Sequence, residues 1–331
     1  MFLTNLLNVA KLVLILYIMA AVGFFADRIG KFTQKAAKLA TGLLFYIVTP
    51  CVIVNSFVVN FSQGTSSVTL KDFGLAMLFF AVTYAVAIPL SKLFFKKQPA
   101  AKRTIYRHSV VYGNCGYIGL PLVQAVVGEK GVFYSAIAIT VFNVITFTQG
   151  VHQMHEGDDG KADIKFSKIL INPGTLGILL GIPLLILMLV FKVDLTSSNW
   201  EILTKPISYI GSMNTPLAML CLGTFLSNTD IKNTFKDKNN YLVGALRLIV
   251  IPMSLFAVIL LVNRFVTPVP AVVAVSLMVS ACPPSANNTV LFAATFDKDV
   301  GLASTTVASS TFFSILTMPV VLALAQQAFP L

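Results

Sequence analysis

Long apolar stretches alternate along the chain with short polar loops. Ten stretches come close to the roughly 20 apolar residues that an α-helix needs to cross a membrane. The pattern therefore predicts an all-α integral membrane protein with ten transmembrane helices. The predicted spans are residues 5–26, 37–60, 73–95, 105–127, 131–150, 169–191, 203–226, 241–263, 269–296 and 300–325.

Composition agrees with this pattern. Of the 331 residues, 56% are hydrophobic and 11% are charged, and the mean hydropathy is +0.83. Soluble domains carry about 25% charged residues, so the composition fits a large soluble enzyme poorly. Four cysteines lie inside apolar spans without metal-binding or disulfide spacing, which indicates small buried side chains. They are Cys51, Cys115, Cys221 and Cys282.

The net charge of +11 reflects membrane topology and does not indicate nucleic-acid binding. Most of the 24 Lys and Arg residues follow the odd-numbered spans, in clusters such as 28–38, 92–107, 161–168 and 232–238. Cytoplasmic loops carry an excess of Lys and Arg. The distribution predicts a multi-pass protein of the cell membrane with both termini outside.

A polar segment after the fifth span divides the chain into two halves. We predict a first five-helix repeat at residues 1–150, a short cytoplasmic linker at 151–168 and a second repeat at 169–331. Repeats with an odd number of spans must insert upside down relative to each other, as in inverted-repeat transporters. The Thr-Pro pairs at Pro50 and Pro216 fall on matching spans, as do Cys115 and Cys282.

Two spans at matching places contain strong helix breakers. The fourth span holds Gly113, Gly116, Gly119 and Pro121, and the ninth holds consecutive prolines at 283–284. Glycine costs about 1 kcal/mol and proline about 3 kcal/mol inside a helix. A broken helix survives in a membrane only where protein or a water-filled cavity satisfies its backbone. Spans four and nine are therefore predicted to be broken helices, although packing kinks remain an alternative.

Broken helices offer backbone N–H groups to anions and backbone C=O groups to cations. We predict a substrate site at mid-membrane, with a candidate sodium site near Asn114, Cys115 and Asn288. Arg247 would either hold an anion or extend to the interface. Hydroxyl groups of the last span are interpreted as bonding to their own helix or between helices. The candidate substrate-binding residues are Pro50, Asn55, Asn114, Cys115, Gly116, Tyr117, Pro121, Asn143, Arg247, Pro283, Pro284, Ser285, Asn287, Asn288 and Thr289.

The sequence resembles the auxin efflux carrier family, in particular bacterial members that are malate or other organic-acid permeases. The resemblance covers nearly the whole chain and rests on the runs 43–57, 112–121, 283–288 and 296–299. It implies broken helices four and nine that cross at the centre of two inverted repeats. It also implies a scaffold of helices one, two, six and seven, an elevator-like movement of the other helices, and a homodimer.

The function that we predict is secondary transport of a small organic anion such as malate. A sodium-coupled symporter of the wider bile-acid-transporter-like superfamily is the alternative, and proton coupling also stays open. A channel or membrane sensor fits less well. No nucleophile–base pair supports an enzyme, and no cofactor is expected.

Overall fold

The computed structural model describes residues 2–61, 70–155, 180, 183–184, 195, 198–229 and 234–331. Their secondary structure is helical, and we number the membrane segments α1 to α9, with a and b for the halves of broken helices. Segments α2, α5, α6 and α7 each consist of two or three helical pieces that follow one another with at most one residue between them. The bounds are α1 Phe2–Arg28; α2 Gln34–Leu43, Leu44–Val48 and Thr49–Phe61; α3 Leu70–Phe94; α4a Ala100–Val111; α4b Cys115–Gly119 and Leu120–Val126; α5 Glu129–Ile145, Thr146–Gly150 and Val151–Met154; α6 Glu201–Ser212 and Asn214–Ser227; α7 Lys238–Ala245, Leu246–Val250 and Ile251–Phe265; α8a Ala271–Ala281; α8b Asn288–Thr295; and α9 Val300–Ala328.

Seven of these segments are long and apolar enough to cross a membrane: α1, α2, α3, α5, α6, α7 and α9. The remaining two segments, α4 and α8, correspond to the predicted spans four and nine. Both are interrupted, as the glycine and proline pattern predicts. The predicted span at 169–191 lies largely outside the described residues. Helix α5 continues to Met154, four residues beyond the end of the predicted fifth span. Residues 156–168 of the predicted linker lie outside the described residues.

Two glycines end helices in a conformation that other residues rarely adopt. Gly30 has φ of +71° just after α1, and Gly128 has φ of +78° between α4b and α5. The Gly128 N–H donates to the carbonyls of Val123 and Gln124, which lie in the last turns of α4b. Positive φ at a helix end is the usual role of glycine, because it has no Cβ. Both glycines therefore separate consecutive helices sharply.

Four π-helical turns interrupt the described helices. They lie within α2, at the start of α4b, near the end of α5 and within α7. Such turns widen a helix by one residue and are frequent at functional sites. Each of the four carries residues that line or support the site described below, for example Tyr46, Cys115, Phe147 and Arg247.

Helix α1 packs against α6 and α9. At the contact with α6, two glycines allow the backbones to approach closely: a Cβ on Gly23 would lie 2.2 Å from the carbonyl oxygen of Leu220, and one on Gly223 would lie 1.7 Å from that of Ala20. Small residues are the common means of close helix contact in membranes. The opposite face of α1 exposes large apolar side chains such as Leu14, which suits contact with lipid.

Candidate functional site

The two broken helices meet backbone to backbone. The Asn114 N–H donates to the Pro284 carbonyl at 2.7 Å, and the Ala286 N–H donates to the Tyr112 carbonyl at 2.9 Å. These bonds form a short antiparallel bridge in which Gly113 lies opposite Ser285. Unpaired backbone groups are costly inside a membrane. Each broken helix therefore supplies hydrogen-bond partners for backbone groups that the break in the other helix exposes.

Side chains satisfy further groups at the breaks. The Ser285 hydroxyl donates to the Ser109 carbonyl in the last turn of α4a at 2.8 Å, and the Ser285 N–H donates to the Ser310 hydroxyl of α9. The Thr289 hydroxyl and His108 Nδ1 share a hydrogen bond of 2.9 Å between α8b and α4a. The breaks are therefore specific tertiary junctions and not local kinks alone.

Arg247 of α7 lies at this junction and is only 3% exposed. Its Nε donates to the Pro283 carbonyl at 3.0 Å, and its Nη2 donates to the Ala281 carbonyl at 2.6 Å. A longer bond of 3.5 Å joins Nη1 to the Val111 carbonyl. The guanidinium therefore binds the carboxyl-terminal ends of α4a and α8a. It neither extends to the membrane interface nor lines the cavity, contrary to both sequence-based interpretations.

A cavity of about 270 Å³ lies beside the junction. It is bounded by α2, the first residues of α4b and α8b, and one face of α5. Exposed Tyr46 and Leu291 are among the residues that line it. The lining residues are Tyr46, Thr49, Gly113, Asn114, Cys115, Gly116, Tyr117, Ile139, Phe142, Asn143, Phe147, Ala286, Asn287, Asn288, Leu291 and Phe292.

Two carboxamides at the cavity have hydrogen-bond donors without a partner. Asn114 Nδ2 and Asn287 Nδ2 are both buried and unpaired. Asn114 Oδ1 accepts the Tyr117 N–H at 3.1 Å, which caps the beginning of α4b and fixes the orientation of the amide. Asn287 precedes α8b and makes no such cap. One free donor from each broken helix therefore borders the same cavity, next to the amino-terminal ends of two half-helices.

Seven of the predicted site residues line this cavity, and eight do not. Those that line it are Asn114, Cys115, Gly116, Tyr117, Asn143, Asn287 and Asn288. Pro121 lies in the first turn of the α-helical part of α4b. The junction is built instead by Pro283, Pro284, Ser285 and Thr289. Asn55 lies 3.5 Å from Glu129, and Pro50 is buried in α2.

The aromatic part of the cavity is not predictable from the sequence. Tyr46, Phe142, Phe147 and Phe292 line it together with Ile139 and Leu291. In the sequence these residues resemble the many other apolar residues of the spans. Only their positions relative to the π-helical turns and the breaks, which depend on tertiary packing, separate them from lipid-facing side chains.

The hydroxyl groups of α9 mostly bond within their own helix, as predicted. Thr306, Ser309, Ser310, Thr311 and Ser314 each donate to a carbonyl three or four residues earlier. The α9 hydroxyls are accordingly absent from the cavity lining.

Among the described residues, helical membrane segments with two breaks that meet beside one cavity have the architecture of a membrane transporter. The model of the membrane transport protein family matches residues 8–322. The chain therefore belongs to that family, which confirms the resemblance to auxin efflux carriers. It is also similar to a protein named as an uncharacterized transporter in Methanocaldococcus jannaschii, with 26% identity over 92% of this chain and 95% of the relative.

Proposed function

We propose that this transporter is a secondary carrier of small organic anions bearing a carboxylate, such as malate. The observation that carries the proposal is the pair of unpartnered donors, Asn114 Nδ2 and Asn287 Nδ2, at one cavity. Buried polar groups normally have hydrogen-bond partners. An acceptor brought by the substrate would supply one, and a carboxylate can accept from two donors at once.

The electrostatics of the cavity favour an anion. The half-helices α4b and α8b both begin at the cavity. The amino-terminal end of a helix carries about half a positive charge. Among the described residues, the cavity lining contains no Asp or Glu that would repel a carboxylate. It also contains no Lys or Arg, so binding depends on neutral donors and helix ends, from which a substrate can still be released.

The size and the aromatic lining favour an organic substrate over an inorganic ion. A volume of about 270 Å³ is near the lower end for sites that hold drug-sized ligands, about 300 Å³. Phe142, Phe147 and Phe292 would cover the carbon skeleton while the asparagines hold the carboxylate. A metabolite with a carboxylate and a few further carbon atoms suits a cavity that has both polar and aromatic lining.

The position of the cavity supports alternating access. It lies between α2, which belongs to the scaffold in the family's arrangement, and the broken helices, which belong to the moving part. We propose an elevator-like movement of the broken helices relative to the scaffold in a homodimer. Import of an anion against an inside-negative potential costs about 2.3 kcal/mol per charge per 100 mV, so import requires coupling or exchange, whereas efflux requires neither.

Counter-flow in proteoliposomes tests the proposal. Labelled malate, malonate, lactate and citrate would be offered to wild type and to Asn287→Ala. We chose Asn287 because its side chain caps no helix, so its loss removes a donor and leaves the break otherwise intact. Asn8→Ala, which removes an exposed carboxamide of α1, is the matched control.

We expect saturable exchange of at least one acid by wild type and the Asn8→Ala control, and a loss of roughly tenfold or more in Asn287→Ala, the effect of about 1.4 kcal/mol. No exchange of any of these acids by folded protein would contradict a carboxylate carrier. Equal exchange by Asn287→Ala would contradict the site.

A further inference from the structure

The first halves of the broken helices, α4a and α8a, both end at the junction. Carboxyl-terminal ends carry about half a negative charge each, so together they present about one negative charge in the protein interior. Exposed carbonyls of this kind bind sodium in broken-helix transporters. In this chain, the carbonyls of Ala281 and Pro283 accept hydrogen bonds from Arg247.

We propose that the guanidinium of Arg247 is a resident cation that replaces an inorganic cation at the junction, so that substrate binding and transport require no sodium there. The inference deepens the proposed function, on which its transport part rests. It assigns Arg247 as a positioning residue that holds the two helix ends and does not contact substrate.

The residues around Arg247 are arranged to hold a guanidinium group. Three nitrogens of Arg247 point to three different carbonyls, one on α4a and two at the end of α8a. No carboxylate of the described residues forms a salt bridge with it, so the carbonyls are the groups that balance its charge. Gly113 leaves the necessary space, because a Cβ there would lie 1.8 Å from Nη2.

The charge balance explains how the cavity beside this junction can still attract an anion. Arg247 offsets the roughly one negative charge of the two carboxyl-terminal ends. The amino-terminal ends of α4b and α8b then remain as about one positive charge at the cavity. A sodium ion would give the same balance but would have to bind and leave in each cycle, whereas a covalently attached cation stays through the cycle.

The first test uses sodium itself and needs no knowledge of the substrate. Binding of radioactive sodium to purified protein in detergent would be measured, together with the Tm in sodium chloride and in choline chloride. We expect no saturable sodium binding and the same Tm in both salts. Saturable binding by wild type, or a Tm that rises with sodium at constant ionic strength, would overturn the proposal even if malate is not the substrate.

The second test removes the cation. We expect Arg247→Ala to lower the Tm by roughly 5 °C or more, because the helix ends lose their donors. Millimolar guanidinium chloride should restore part of this loss in the variant only, since the ion can enter the vacated space. A purely structural role for the alkyl chain would give no such rescue, and that result would contradict the proposal.

Arg264→Ala is the control, because Arg264 is an exposed cation near the end of the same segment, α7. Its Tm should not respond to guanidinium. Arg247→Lys keeps a cation at the junction and should remain independent of sodium. If Arg247→Ala does not fold, the wild-type sodium measurements and Arg247→Lys still decide the question: sodium dependence in either would count against a resident cation.

Discussion

Gly113 lies directly against the guanidinium of Arg247. An ideal Cβ at Gly113 would be 1.8 Å from Nη2 and 2.4 Å from Cζ. The arginine cannot simply move aside, because its nitrogens are bonded to carbonyls at the ends of α4a and α8a. The glycine in the first break is therefore required by a side chain more than a hundred residues later.

Gly113→Ala should disrupt this contact. Overpacking of a fixed site costs typically 1–3 kcal/mol, so we expect a lower Tm and a loss of transport with normal membrane insertion. Both quantities would be measured in the same preparation. Gly74→Ala is the matched control, since nothing lies within 4 Å of a Cβ at Gly74 in α3. An unchanged Tm in Gly113→Ala would show that Arg247 is not held as described.

Gly223→Ala should separate α1 from α6. The added Cβ would lie 1.7 Å from the carbonyl oxygen of Ala20, which is backbone and cannot rotate away. We expect a fall in Tm larger than that of Gly113→Ala, measured by thermal unfolding in detergent. Gly42→Ala, at a position with open space, should have little effect.

Gly23 offers an additional test of the same contact. It meets Leu220 of α6 as Gly223 meets Ala20 of α1. Once either substitution has pushed the helices apart, the other should cost less. The double variant Gly23→Ala with Gly223→Ala is therefore expected to be less destabilised than the sum of the single variants. Simple additivity would argue against one shared interface.

The broken helices could be predicted because their cause is local. Gly and Pro weaken a helix wherever it lies, and Pro283 and Pro284 cannot donate N–H groups. The membership of Asn114 and Asn287 in one cavity followed from the same reasoning, since both lie at breaks in corresponding spans.

The partner of Arg247 could not be predicted in this way. Its hydrogen bonds reach Val111 and Pro283, which are remote in sequence and approach only through tertiary packing. The π-helical turns that orient Tyr46 and Phe147 have no marker in composition either. The aromatic half of the cavity therefore emerged only from the structure.

The predicted orientation can be tested with cysteine labelling. In a variant whose four native cysteines are replaced by alanine, Lys97→Cys would report the loop after α3 and Arg264→Cys the end of α7. Both positions are exposed. The distribution of Lys and Arg predicts that a membrane-impermeant maleimide labels Arg264→Cys in intact cells, and Lys97→Cys only after permeabilisation. The reverse result would mean that both termini are inside.

Asn114 should combine two roles that substitutions can separate. Its Oδ1 caps the helix through the Tyr117 N–H, whereas its Nδ2 is free at the cavity. Asn114→Ala loses both groups, so we expect a destabilisation of about 1 kcal/mol and no exchange of the transported acid. Asn114→Asp keeps an oxygen for the cap but loses the donor, and we expect a Tm near that of wild type with exchange still absent.

Asn287→Ala provides the comparison for the two Asn114 variants. Asn287 caps no helix, so Asn287→Ala should lose exchange without the fall in Tm that Asn114→Ala shows. The Tm and the counter-flow rate would be measured for all three variants in one detergent and one lipid mixture. If Asn114→Asp transported as well as wild type, the free Nδ2 of Asn114 would have no part in binding, and the cavity would have to hold its substrate through Asn287 Nδ2 and the backbone N–H groups of the half-helix ends.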